Sequence, residues 1–110
     1  MEKIIIENKS ELLCFDPSDL KYVTSSGRTT TLHGKSGDYR MYAKLDEIEA
    51  LLPECFARCH RSVIVNMNCI ALFCGKNVTL SDGTTVPVSK SRYLTLRESF
   101  CSFINRNGGN

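Results

Sequence analysis

The sequence predicts a mostly β domain with minor α content, an antiparallel sandwich or barrel carrying one or two helices. Three observations carry this. Short β-branched and aromatic runs recur along the chain, separated by Gly, Asn, Asp and Ser turns. Apolar residues at helical spacing occur in two stretches, around 45–52 and 91–104. The 110 residues, 42% of them hydrophobic, are enough for one core and show no linker, repeat or low-complexity tract. Residues 1–110 are read as a single domain, with 1–15 as an N-terminal hairpin and 105–110 as a frayed tail.

Taken in order, Lys3 to Glu7 and Glu11 to Phe15 read as two strands joined by the turn Asn8-Lys9-Ser10. Asp16-Pro17-Ser18-Asp19 is a turn or helix start, leading into a strand at Leu20 to Val23. The small polar stretch Thr24 to Thr29, centred on Gly27, separates it from a strand at Thr30 to His33. Lys35 to Asp38 turns into a strand at Tyr39 to Ala43. Leu45, Ile48, Leu51 and Leu52 then form the apolar stripe of a short helix. Asp46, Glu47 and Glu49 suit its N-terminal dipole, and Pro53 ends it. Strands resume at Ser62 to Asn66, Cys69 to Phe73, Asn77 to Leu80 and Thr84 to Val88, the last two joined by the hairpin turn Ser81-Asp82-Gly83. A final helix from about Ser91 to Ile104 carries the stripe Tyr93, Leu96, Phe100, Phe103 and Ile104.

The informative stretch is Phe56 to Asn66. Val63-Ile64-Val65 is a β-branched run that favours a strand buried on at least one face. Before it stand Arg58, His60 and Arg61 with no acid among them. The segment therefore reads as a charged tip on a rigid support. Charge is uneven along the whole chain. Residues 1–54 hold seven Lys/Arg against ten Asp/Glu, and residues 55–110 hold seven against two. A basic half in a chain of net charge +2 suggests a polyanion footprint. Three loops share the basic character: Gly27-Arg28-Thr29-Thr30, Arg58 to Ser62, and Ser89-Lys90-Ser91-Arg92. The third places cations at a helix start, where free N–H groups and serine hydroxyls make an anion site.

Other chemistries fit less well. Cys59 and His60 are adjacent in a strand and point to opposite faces, so they cannot act as a nucleophilic pair. The acids of the first helix suit a solvated face rather than paired acid–base work. No phosphate-cradling Gly loop is present, so no enzyme activity, small-molecule substrate or cofactor is expected. The six cysteines, Cys14, Cys55, Cys59, Cys69, Cys74 and Cys101, are read as buried small hydrophobes. Zinc through Cys55, Cys59, Cys69 and Cys74 is the minor reading, because neither gap is a tight Cys-x-x-Cys. There is no signal peptide and no apolar run approaching the ~18 residues of a membrane span. A cytoplasmic location is expected.

Phe56-x-Arg58-Cys59-His60-Arg61-Ser62-x-Ile64-Val65-Asn66 resembles the signature of the LytTR DNA-binding domain, the effector domain of bacterial LytR/AlgR-type response regulators. Asp19 to Val23 with Ser26-Gly27-Arg28, Leu45 to Pro53, Leu80 to Gly83 and Val86 to Ser91 are similar to further family motifs, in the same order and spacing. The resemblance implies an elongated, mostly antiparallel β-sandwich whose loops enter the DNA major groove. It implies DNA contacts at Arg28 and Thr29, at Arg61, and at Lys90 with its neighbours Ser91 and Arg92, and structural roles for His60 and Asn66. The family's usual residue at position 90 is Arg, and Lys lacks the bidentate fork that reads guanine, so a phosphate contact is expected there. The expected function is a sequence-specific, duplex-DNA-binding transcriptional regulator, with a second copy on an adjacent half-site. The rival reading is a β-sandwich that lends a sheet edge to a protein partner. Such domains usually follow a receiver or a sensor; these residues contain neither, which fits a stand-alone regulator or an excised domain. The acidic helix is expected to face away from DNA. Lys76 and Arg106, outside the three loops, are expected to contribute little.

Overall fold

Val63–Asn66 is buried at all four positions, and the rest of the molecule is layered around it. A computed structural model describes residues 3–107. The strands are β1 (Ile4–Glu7), β2 (Leu12–Phe15), β3 (Leu20–Ser26), β4 (Thr29–Gly34), β5 (Gly37–Tyr42), β6 (Phe56–His60), β7 (Val63–Asn66), β8 (Ile70–Cys74), β9 (Asn77–Leu80) and β10 (Thr85–Pro87). Helix α1 spans Leu45–Leu51 and α2 spans Tyr93–Asn107, with single 3-10 turns at Pro17–Asp19, Met67–Cys69 and Lys90–Arg92. The central sheet runs β5-β4-β3-β7-β6. A hairpin β1-β2 and a three-stranded sheet β10-β9-β8 complete the set, and every pairing is antiparallel.

The mostly antiparallel β class holds, and the sandwich has three layers. On one face of the central sheet, Ile4 and Ile6 of β1 and Leu45 and Ile48 of α1 pack with Val23, Leu32, Met41 and Ile64. On the other, Val63 and Val65 pack with Val78, Leu80, Val86, Leu96 and Phe103 from the three-stranded sheet and α2. Alternation along β7 sends Ile64 to the first core and its two valines to the second. Asn66 closes the strand: its side chain donates to the Leu20 carbonyl (2.8 Å) and accepts from the Asn68 N–H (3.0 Å). Both polar ends of a buried amide are thus satisfied.

Local chemistry sets the turns. The Asn8 side chain accepts from the Ser10 and Glu11 N–H groups. Glu47 reaches back to the Lys44 N–H (3.2 Å), half of a capping box at the start of α1. Asp82 accepts from Thr84 N–H (2.9 Å) and pairs with Lys21 (2.8 Å), tying the β9–β10 turn to the central sheet. The Lys21 ammonium holds the Asp82 carboxyl well below the usual carboxylate range.

Several element boundaries differ from expectation. β6 is a strand where a basic loop was expected, because the residues pair with β7 around a bulge at Cys59. The last helix begins at Tyr93, after the 3-10 turn, and runs through Asn107 rather than ending in a frayed segment at 105; residues 108–110 lie outside the described residues. Ile104 is exposed on it rather than buried in the apolar stripe. Ile64 is fully buried, so Ile64→Ala should cost about 2–5 kcal/mol, measured by urea unfolding. A loss below ~1 kcal/mol would mean that the first core closes without β7.

Candidate nucleic-acid interface

The basic loops meet at one end of the central sheet. β3 and β4 are joined there by Gly27-Arg28, since Ser26 pairs with Thr29. Gly27 has φ 62°, as the first position of a type II′ turn requires. Arg28 follows at the exposed tip and donates to the Tyr42 hydroxyl (3.0 Å). Thr29 begins β4 opposite Tyr42. The β6–β7 turn, Arg61-Ser62, lies next to this tip, because the Ser25 N–H donates to the Ser62 carbonyl (3.0 Å). On the other side the Ser89 N–H donates to the Cys59 carbonyl (2.8 Å). That bond seats Lys90, Ser91 and Arg92 against the open edge of β6. Lys90, Ser91 and Arg61 are exposed, and Arg92 is half-buried.

The tip is held from behind. Arg58 is only 17% exposed and pairs with Asp46 (2.9 Å) and Glu49 (2.6 Å) of α1. Its guanidinium also donates to the carbonyls of His60 (2.9 Å) and Arg61. Sequence alone placed Arg58 among the loop cations; here it is the clamp that fixes Arg61's backbone to α1. The fork and multiple donors of Arg make this possible where a Lys would not. Two acids beside it outweigh the cost of its partial burial and raise its pKa above the ordinary value. α1 begins at this same end, where Arg58 pairs with two of its carboxylates.

His60 organises the turn itself. The Ser62 N–H donates to its Nδ1 (3.1 Å), and the Ser62 hydroxyl lies 3.0 Å away. This leaves the ring proton on Nε2. The neighbouring Cys59 thiol donates in the opposite direction, toward the Val63 carbonyl (3.6 Å) inside the core. The two side chains have separate partners.

A further basic turn, outside the three loops, lies at this end. The Gly75-Lys76 turn between β8 and β9 lies beside Ser89, because the Val88 N–H donates to the Lys76 carbonyl (2.7 Å). The signal available was a second Gly-base dipeptide like Gly27-Arg28; what brings the two to one end is tertiary. Arg106, in contrast, sits on α2 near Glu54 (3.5 Å).

The cysteines only partly follow expectation. Cys59 is fully buried, Cys55 and Cys69 are half-buried, and Cys14, Cys74 and Cys101 are exposed. The exposed three stand on outward faces of β2, β8 and α2, so packing is not their role. Among the described residues, no group of three His, Cys, Asp or Glu side chains is arranged to hold a metal ion. Likewise, no helix of the described residues is long and apolar enough to cross a membrane.

Residues 10–100 match the family model of the LytTr DNA-binding domain. The chain belongs to the LytTr family. It is 35% identical over 72 residues to the transcriptional regulatory protein NatR of Bacillus subtilis (strain 168), covering 64% of this chain and 31% of NatR. It is 30% identical over 100 residues to the sensory transduction protein LytT of Oceanobacillus iheyensis, covering 83% of this chain and 41% of LytT. The chain thus spans less than half the length of these relatives. It superposes with a TM-score of 0.71 and 25% identity on the LytTr DNA-binding domain of a methyl-accepting/DNA response regulator from Bacillus cereus, covering 92% of this chain and 97% of that one. The resemblance read from Phe56 to Asn66 is borne out at the level of family and fold.

Two measurements check the geometry of this LytTr domain. Arg58→Ala should cost roughly 1.5–3 kcal/mol, the range for hydrogen bonds to a charged group, and speed amide exchange at Ser62. Unchanged exchange there would separate the clamp from the turn. Burial pushes the Cys59 thiol up to about 12 and also raises Cys55 and Cys69. The thiolate is the reactive form, so a thiol reagent at neutral pH should label Cys14, Cys74 and Cys101 first and Cys59 only on unfolding. Early labelling of Cys59, read by mass spectrometry, would contradict its place in the core.

Proposed function

We propose that this LytTr domain is the DNA-reading part of a sequence-specific bacterial transcriptional regulator acting in the cytoplasm. Arg28, Thr29, Arg61, Lys90, Ser91 and Arg92 face the duplex and enter its major groove. The observation that carries the reading is the convergence of three basic loops, far apart in sequence, on one end of a rigid sheet. Two backbone hydrogen bonds join them, Ser25 to Ser62 and Ser89 to Cys59.

The roles divide by chemistry. Arg61, exposed on a turn whose backbone is clamped by Arg58, carries the fork that reads O6 and N7 of guanine. Arg28, with its guanidinium turned toward Tyr42, and Thr29 flank it. Lys90 is a flexible point charge and takes a phosphate, while Ser91 and Arg92 add donors at the start of the last helix. His60 and Asn66 shape the support and do not touch DNA. The domain measures 40 × 31 × 23 Å, comparable to one turn of duplex, about 34–36 Å. A single copy offers little surface for a tight complex, so two copies occupy neighbouring half-sites.

Selection of bound duplexes from a random pool, followed by salt titration, tests the reading. An enriched motif and a log K against log salt slope of roughly −3 to −4 per copy are expected for the four loop cations Arg28, Arg61, Lys90 and Arg92. No enriched motif and a slope near zero would overturn it. Within that experiment, Arg61→Ala should cost on the order of 1–3 kcal/mol on the selected site and relax preference at one base pair. An equal loss on selected and random duplexes would reassign Arg61 to a phosphate.

A further inference from the structure

We infer that the Gly75-Lys76 turn is a fourth DNA-contacting loop, with Lys76 on a backbone phosphate at the outer edge of the footprint. The inference rests on reading this end of the molecule as the DNA-facing one, and it reverses the expectation that Lys76 stands apart.

Placement is the first ground. Two consecutive residues bridge this turn to the central sheet: the Val88 N–H donates to the Lys76 carbonyl (2.7 Å) and the Ser89 N–H to the Cys59 carbonyl (2.8 Å). Lys76 is thereby linked, through the segment that leads into Lys90, to the strand that ends in Arg61. The basic segments follow one another along the end of the sheet, from the Arg28 turn to the Arg61 turn, then Ser89 to Arg92, then the Lys76 turn.

The second ground is the form of the turn. Cys74 pairs with Asn77, so Gly75 and Lys76 are the two turn residues. Gly75 has φ 61° and Lys76 a negative φ, the pattern also seen at Gly27 and Arg28. Both hairpins thus end in a glycine at the first position and an exposed base at the second. Such a turn lifts one cationic side chain clear of the sheet.

The third ground is charge. Lys3, Lys21, Arg58 and Arg106 each pair with a carboxylate. Among the described residues Lys76 has no such partner within ion-pair distance, and no acid occurs from Cys55 to Ser81. An unneutralised ammonium on a flexible stem binds a phosphate oxygen and carries no base preference.

Lys35 provides the matched control. It is also an exposed turn lysine, but it lies between β4 and β5 at the opposite end of the sheet. Lys76→Ala and Lys35→Ala change net charge equally. Their binding to a selected duplex and to a random duplex would be followed by fluorescence anisotropy across a salt series, with Lys90→Ala alongside and circular-dichroism melting to verify the fold. Lys76→Ala should flatten the slope by about one unit and weaken both duplexes by the same factor, while Lys35→Ala matches the unsubstituted domain. Equal effects of Lys76→Ala and Lys35→Ala would overturn the inference. A steep slope that Lys90→Ala flattens and Lys76→Ala leaves alone would overturn it too, with the three-loop docking intact. A slope near zero in the unsubstituted domain would overturn the docking itself.

Discussion

β7 has no solvent face, and the rest of the molecule follows from that. A strand of four residues with Ile64 in one core and Val63 and Val65 in another needs a layer on each side. The β1–β2 hairpin with α1 forms one layer, and the three-stranded sheet with α2 forms the other. Neither outer layer has a core of its own; each buries its apolar side chains against the central sheet. The turn that opens β7 is therefore attached to the most constrained part of the chain. A side chain on it keeps its position without contributing to the packing, which suits a group that must meet a rigid partner.

Electrostatics at that end pose a conflict that Arg58 resolves. Asp46 and Glu47 stabilise the start of α1 through the helix dipole, and Glu49 follows one turn on. The same carboxylates, left free, would repel any anion near Arg61. Arg58 takes Asp46 and Glu49 and spends its remaining donors on the carbonyls of His60 and Arg61. One side chain thus offsets part of the helix's negative charge and fixes the turn. Its charge is consumed inside the fold, so counting bases along the sequence overstates the number offered to a partner.

Much of this was legible from sequence, for identifiable reasons. Val63-Ile64-Val65 announced a buried strand because β-branched residues have few other uses in a run. Leu45, Ile48 and the acids around them gave α1 its position, and Ser81-Asp82-Gly83 its hairpin. β6 was legible only around Cys59 and His60 and not over its full length: Arg58 and His60 are polar, and the bulge at Cys59 breaks the alternation that pattern reading depends on. The half of the cysteines that is exposed escaped because composition carries no information about facing. The position of Lys76 was hidden for a deeper reason. Its neighbours at the basic end lie at least a dozen residues away in sequence, and only the docking of β8–β10 onto the central sheet brings them together.

The two Gly-base hairpin tips have an evolutionary consequence. Arg28 and Lys76 each stand one residue past a glycine, clear of both cores, on turns whose shape the glycine sets. Substitutions at such exposed positions fall within about ±0.5 kcal/mol of neutral for stability. Lineages carrying this fold can therefore change the chemistry presented at the tips one residue at a time without passing through poorly folded intermediates. Substitutions in Val63–Asn66 have no such freedom, since each one disturbs a core. Divergence within the fold should thus be fast at the tips and slow along β7.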